Sequence, residues 1–216
     1  MRTISHVVEE VIARSPFLAE AIAEGVANNA KIARKIKPEV EERLLEAVSE
    51  AAIAMALHRL AKDLKRSHYG MKMLSRMKDV TVRSGLSQFI LENSVATVHA
   101  LDTLSKVAYQ NKAAFFNHSR GLHETVLIVG QELEKEAEAL FKKLAGVKHE
   151  RGLSAITMHM PQESLAVPGV YYPILKAIAH EGLSIVEVMS VYTEFTVIFQ
   201  DKDVEKAFSV IKKVTS

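Results

Sequence analysis

Residues 167–190 read VPGVYYPILKAIAHEGLSIVEVMS. A Pro-Gly pair opens an apolar segment with helical spacing, Gly182 closes it, and a β-type run begins at once. The spacing predicts a helix over 170–180. The strands around it are AITMHM (155–160) and the pair in LSIVEVMSVYTEFTVIF (183–199), followed by a helix in DKDVEKAFSVIKKV (201–214). The order is βαββα, and no group in the opening stretch is suited to catalysis.

Working back along the chain, the same order recurs. DVTVRSGLSQFILEN (79–93) alternates like a strand pair around Ser84-Gly85, and Val98–Tyr109 is helical. AAFFNHSRGLHETVLIVG (113–130) is a second strand pair around Arg120-Gly121. ELEKEAEALFKKLAG (132–146) is an amphipathic helix stopped by Gly146, acids early and lysines late as its dipole prefers. Gly85-Leu86-Ser87 superposes on Gly152-Leu153-Ser154 at an offset of 67 residues. ETVLIV (124–129) superposes on EFTVIF (194–199) at 70, and Phe141-Lys142-Lys143 on Ile211-Lys212-Lys213 at the same 70. The change of three residues places an insertion in the Pro161–Gly169 loop of the second copy. The pattern predicts a duplicated unit. Neither copy has a strand after its last helix. Val80–Arg83 and Val147–Glu150 are expected to supply the missing edge, in their own unit or the neighbouring one; otherwise the sheet is open to a partner chain.

Ser154–Val210 resembles an ACT domain, the small amino-acid-sensing module of aspartokinases and other amino-acid enzymes. The resemblance rests on AITMHM, Pro168-Gly169-Val170, YYPILKAIA, the Gly182-Leu183-Ser184-Ile185 opening of strand two, and FTVIFQDKDVEKAF. Residues 87–141 look like a degenerate copy without the Pro-Gly. The whole layout is similar to archaeal predicted regulators of amino-acid metabolism with a helix-turn-helix-like front. The resemblance implies a ferredoxin-like βαββαβ fold for each unit, and an amino acid bound in the loop before the first helix across a dimer of domains. It carries ligand binding to Gln162, Pro168, Gly169, Val170, Leu183, Ser184, Ile185 and Ser190. Physics agrees in part: a Pro-Gly helix start leaves N–H groups for a carboxylate. The alternative is a domain that only dimerises.

Residues 4–66 read as helices throughout, with Pro16 and Pro38 at first helical positions and Ser49 as a cap. Three short helices, Asn28–Ile36, Pro38–Ala47 and Ala51–Arg66, suit a small winged helix-turn-helix-like domain. In the last of them Ile53, Ala56, Leu57, Leu60 and Leu64 form a buried stripe. Beyond the stripe Arg59, Lys62, Lys65 and Arg66 point to nucleic acid, with Lys72, Arg76 and Lys78 extending the positive surface. A solvated basic face is the alternative. Residues 1–78 hold 14 Lys/Arg against 10 Asp/Glu, and residues 79–216 hold 14 against 16, so the basic part is the front.

The 216 residues contain no cysteine, which excludes disulfides, thiol catalysis and zinc–thiolate sites. No phosphate-binding, dinucleotide or nucleophile-elbow motif occurs. The nine histidines lack metal-ligand spacing, and His159, in MHMP, sits beside methionines that alternation makes core. The carboxylates of 132–138 read as a solvated helix face. The expectation is therefore an α+β protein in three parts: a helical domain (1–78), a degenerate ACT-like unit (79–146) and an ACT domain (147–216). It is expected to be a cytoplasmic, non-enzymatic regulator without cofactor or metal, responsive to an amino acid or related metabolite. It is expected to be a homodimer or larger homo-oligomer, and to bind DNA through its front. The alternative is a regulatory subunit that docks on a biosynthetic enzyme.

Overall fold

The computed structural model describes residues 2–66, 74, 76–77, 79–111 and 114–215, the side chains of Lys65 and Arg66 excepted. The chain forms two compact units, residues 1–69 and 70–216.

The first unit is helical: α1 (Ile4–Ala13), α2 (Pro16–Glu24), α3 (Asn29–Leu44) and α4 (Glu50–Arg66). Thr3, Asn28 and Ser49 cap three of the four, each side-chain oxygen accepting from the N–H three residues on. Gly25 ends α2 with φ +75°, a conformation glycine takes without strain. Pro38 lies inside a continuous α3 rather than starting a new helix. Burial explains this: Ile32, Ala33, Ile36 and Val40 make one stripe that runs past the proline and packs on α4. That packing offsets the lost hydrogen bond. α4 is central, packing on α1, α2 and α3 through Ile53, Ala56, Leu57 and Leu60. Residues 2–66 contain no strand, so the predicted wing is not among the described residues.

Among the described residues the second unit contains a six-stranded antiparallel sheet and the four longer helices named next. Its elements are β1 (Val80–Glu92), α5 (Val95–Gln110), β2 (Phe116–Arg120), β3 (Glu124–Gly130) and α6 (Gln131–Phe141). β4 (Lys148–His159), α7 (Tyr172–His180), β5 (Glu187–Val191), β6 (Glu194–Gln200) and α8 (Val204–Thr215) follow. The strand order is β2-β3-β1-β4-β6-β5, the duplication laid side by side.

The seam between copies is β1 against β4. Val80–Arg83 pair with Met158–Ala155, and Gln88–Ile90 pair with Glu150–Lys148. Each copy's leading residues thus complete its neighbour's sheet. Exchanging the copies by the 67-residue offset turns the pair Val82–Ile156 into His149–Phe89, which is also present. The seam has an internal two-fold relation, centred where register shifts interrupt the ladder between Arg83 and Gln88. Gly85 and Gly152 sit there with φ +74° and +72°.

The strand pair expected around Ser84-Gly85 is therefore one long strand with a bulge, and Gly152 marks the matching bulge in β4. The βαββαβ order is kept in the first copy, where the opening residues of β4 follow α6 and pair with Gln88–Ile90; the second copy has no strand after α8 among the described residues, and Val80–Arg83 at the start of β1 supply its fourth.

Alternation sends Phe89, Leu91, Leu127 and Val129 under α5 and α6, and Ile156, Met158, Val197 and Phe199 under α7 and α8. The helix-free face carries Leu86, Ile128, Leu153, Ala155, Met189 and Ile198, which nonetheless form one buried cluster. A flat sheet would leave them to water, so the sheet curls about its seam and turns these faces toward each other.

Candidate functional site

In the second copy the insertion forms a short 3₁₀ turn, Gln162–Ala166, and a turn at Pro168–Tyr171 leading into α7. Gly169 has φ +72°, and a Cβ built there meets nothing within 4 Å. The glycine is needed for backbone conformation, not for close approach. The Tyr172 N–H donates to the Gly169 carbonyl at 2.9 Å, and Pro173 has no N–H. The helix start thus offers an anion fewer donors than its Pro-Gly opening implies. Leu183 is corrected similarly: its N–H donates to the Ile178 carbonyl at 3.2 Å, leaving those of Ser184 and Ile185 as candidates.

Other side chains of these loops make contacts of their own. Tyr171 stacks on Phe195, ring centroids 4.2 Å apart, and its hydroxyl lies 3.4 Å from that of Ser190. The Gln162 amide donates to the Tyr192 hydroxyl at 2.8 Å. Tyr192 has φ +54°, strained for a tyrosine. Ser164 is 1% exposed, and its hydroxyl has no partner. A buried unpartnered hydroxyl costs roughly 1–3 kcal/mol. Ser164, Tyr171 and Tyr192 were not singled out in the sequence. Gln162, Pro168, Ser184 and Ser190 are exposed, while Val170 is buried and belongs to the core around α7.

In the first copy the corresponding end of the sheet holds a cavity of about 320 Å³. It is lined by Val98 and Leu101 of α5 and by Asn93, Ser94, Thr97 and Thr125. Asp102 of α5 and His118 and Arg120 of β2 also line it. The Asn93 amide spans the loop, donating to the Gly121 carbonyl at 2.9 Å and accepting from the Thr125 hydroxyl at 2.7 Å. Ser94 caps α5 by accepting from the Thr97 N–H, and the Thr97 hydroxyl donates to the Glu92 carbonyl at 2.6 Å.

Beside the seam, Glu134 and Glu138 of α6 both take hydrogen bonds from Arg151, and His149 of β4 lies 3.3 and 3.4 Å from them. These carboxylates are held, not the solvated face expected. Burial opposes ionisation of Glu134, but hydrogen bonds from Arg151 and Ser87 and the charges of Arg151 and His149 outweigh it, so its carboxyl sits below its ordinary value. Glu134, Glu138 and His149 bring metal-ligating atoms within 4.8 Å of one another, and Arg151 already supplies the cation.

In the helical unit Arg59 and Lys62 project from the outer face of α4, exposed and without an acidic partner among the described residues. The side chains of Lys65 and Arg66, and residues Lys72 and Lys78, lie outside the described residues; Arg76 is exposed.

No family model and no curated protein sequence matches the chain. Solved structures do match. Aspartate kinase from Clostridium acetobutylicum is similar over 65% of this chain and 35% of its own, with TM-score 0.54 and 12% identity. The ligand-free regulatory subunit of aspartate kinase from Thermus thermophilus is similar over 65% of this chain and 98% of its own, at 0.52 and 13%. Aspartate kinase from Synechocystis gives 0.52 and 14%, over 64% of this chain and 27% of its own. This chain thus spans about a third of the whole kinases and nearly all of the regulatory subunit. The matched share is about the size of the sheet-bearing unit. At these identities the likeness is one of fold alone. Among the described residues, no helix is long and apolar enough to cross a membrane.

Proposed function

We propose that this chain is a non-catalytic regulatory protein whose paired ACT-type units bind an amino acid or a related small metabolite. The observation that supports the reading is the six-stranded sheet of two side-by-side copies joined at β1–β4, together with the fold similarity to a regulatory subunit of aspartate kinase. Within the sheet-bearing unit, the Gln162–Ile185 region of the second copy is the ligand site the sequence favours. The unpartnered Ser164 hydroxyl supports that choice, since a ligand atom would satisfy it. Homodimerisation belongs to the same proposal: strands β2 and β5 end the sheet with open edges.

The helical unit is the output end. Exposed Arg59 and Lys62 favour nucleic acid as its partner; docking on a biosynthetic enzyme is the alternative, and Phe17, Leu45 and Met55, all more than half exposed, are the surface that favours it.

A thermal-unfolding screen of the full chain against the twenty amino acids tests the reading. A binder at a hundredfold excess over its Kd stabilises by about 2.7 kcal/mol. One amino acid, or one chemical group of them, is expected to raise the transition of the sheet-bearing unit. A flat response to all twenty overturns the sensing role.

A further inference from the structure

The two ends of the seam allow an internal comparison. The 67-residue offset of the strands sets His149 on Val82 and Arg151 on Ser84. The 70-residue offset of the last helices sets Glu134 on Val204 and Glu138 on Phe208. The pair His149–Phe89 thus corresponds to Val82–Ile156 at the other end. There Val204 and Phe208 pack on the apolar core under α7 and α8. The fold closes this joint with apolar helix residues in one copy, so it does not require the ionisable group of the other.

Three of those side chains are metal-ligand types, and they come from two elements. Glu134 and Glu138 stand four apart on α6 and share one side of it. His149 meets them from β4, with Nε2 3.3 Å from Glu134 Oε1 and Nδ1 3.4 Å from Glu138 Oε1. One donor atom from each lies within 4.8 Å of the other two. Tetrahedral bonds of about 2.0–2.1 Å set neighbouring donors roughly 3.3 Å apart, so little adjustment is needed. The imidazole is already fixed by stacking on Phe89, ring centroids 4.0 Å apart. Its Nε2 is buried and has no hydrogen-bond partner among the described residues. A buried nitrogen lone pair beside a carboxylate oxygen is unfavourable, and a cation between them removes both costs. The guanidinium of Arg151 bonds to both carboxylates but not to that nitrogen. The Arg151 side chain is 60% exposed, against 18% for those of Glu134 and His149. An ion pair open to water on the arginine side is displaced at modest cost.

We infer that Glu134, Glu138 and His149 are a binding site for a first-row divalent transition metal of the zinc type, with Arg151 as its built-in competitor. One imidazole and two carboxylates suit such an ion and leave a fourth position to water. The metal ties α6 of the first copy to β4 of the second. The inference does not rest on the regulatory reading.

The experiment is calorimetric titration of the full chain with Zn²⁺, in wild type, Arg151→Met, His149→Gln and Glu138→Gln, with thermal melts alongside. Arg151→Met keeps the stem and removes the competing charge. It is expected to bind Zn²⁺ about tenfold more tightly than wild type, and each of the other two variants about tenfold or more weakly. Without metal Arg151→Met should melt below wild type, because two carboxylates lose their cation. Zn²⁺ should restore it, Mg²⁺ should not, and adding His149→Gln should abolish the rescue. Co²⁺ bound to wild type should show visible absorption that His149→Gln loses, a readout that does not depend on how Arg151→Met folds. Zinc affinity that is unchanged or lower in Arg151→Met overturns the competition. Zinc affinity and cobalt absorption that survive both His149→Gln and Glu138→Gln place the metal on other residues and overturn the site. Rescue by Mg²⁺ equal to that by Zn²⁺ overturns the metal class. The amino-acid response of the protein is untouched by any of these outcomes.

Discussion

Alanine at Gly85 and at Gly152 separates two costs that these equivalent positions combine differently. Both residues have left-handed backbone, φ +74° and +72°, at the bulges of the β1–β4 seam. A side chain there costs roughly 1–2 kcal/mol of conformational strain. At Gly152 the new Cβ would find Asp201 Oδ2 at 3.7 Å, an ordinary contact, so strain is the whole cost. At Gly85 it would lie 2.7 Å from Gln131 Nε2 and 2.8 Å from its Cδ, so that side chain must swing away. Forcing it from its rotamer adds about 0.5–1.5 kcal/mol. At roughly 2–4 °C per kcal/mol, Gly152→Ala should lower the melting temperature of the sheet-bearing unit by about 2–8 °C. Gly85→Ala should lower it further, and adding Gln131→Ala should recover the difference but not the shared strain. Far-UV circular dichroism melts of the wild type, the single variants and the double variant form a thermodynamic cycle. A Gly152→Ala protein that melts like wild type would refute the seam geometry. So would a Gly85→Ala defect that Gln131→Ala leaves untouched.

Four other expectations follow from the same geometry. Glu134 has its pKa depressed in the folded state, so its contribution is present above the unfolded value of about 4.3 and is lost as pH falls through and below it; melts between pH 6 and 3 should fall more steeply for wild type than for Glu134→Gln, and parallel curves would contradict this. Ser164→Ala removes a buried hydroxyl without a partner, so the ligand-free protein should be unchanged or up to about 1 kcal/mol more stable while binding at the second-copy loop weakens; a clear loss of ligand-free stability would show that the hydroxyl is satisfied. Replacing Arg59 and Lys62 together by Ala should flatten the dependence of log DNA affinity on log salt by about two, near 0.9 per phosphate contact; a wild type without salt-dependent binding favours the enzyme-docking alternative. Light scattering at micromolar concentration should find at least a dimer, and a monomer would remove the proposed use of the open β2 and β5 edges.

Much of the architecture was legible because duplication repeats its own signals. The anchors at offsets of 67 and 70 place β1 against β4, β3 against β6 and α6 against α8 before any coordinate is known. The missing last strands and the surplus leading ones, Val80–Arg83 and 147–150, imply an exchange, and the structure shows that it runs between neighbours. What misled was local chemistry with two outcomes. Glycine at Gly85 and Gly152 marks left-handed backbone, which serves a hairpin turn and a bulge equally. Pro38 marks a helix start, yet the stripe from Ile32 to Val40 carries α3 through it. The first-copy cavity draws its lining from two elements, Asp102 and Arg120 included, and no spacing along the chain encodes that meeting. Ser164 was invisible for the same reason: nothing in a loop sequence shows that this serine is 1% exposed in the fold.

The proposed role in sensing is tested most directly by amide NMR titration of the full chain with the amino acid that most raises its melting temperature. Saturable shifts confined to residues 93–105 and 118–125, to residues 161–172 and 183–192, or to both, are the predicted result. No saturable shift in either region with any of the twenty amino acids would contradict it.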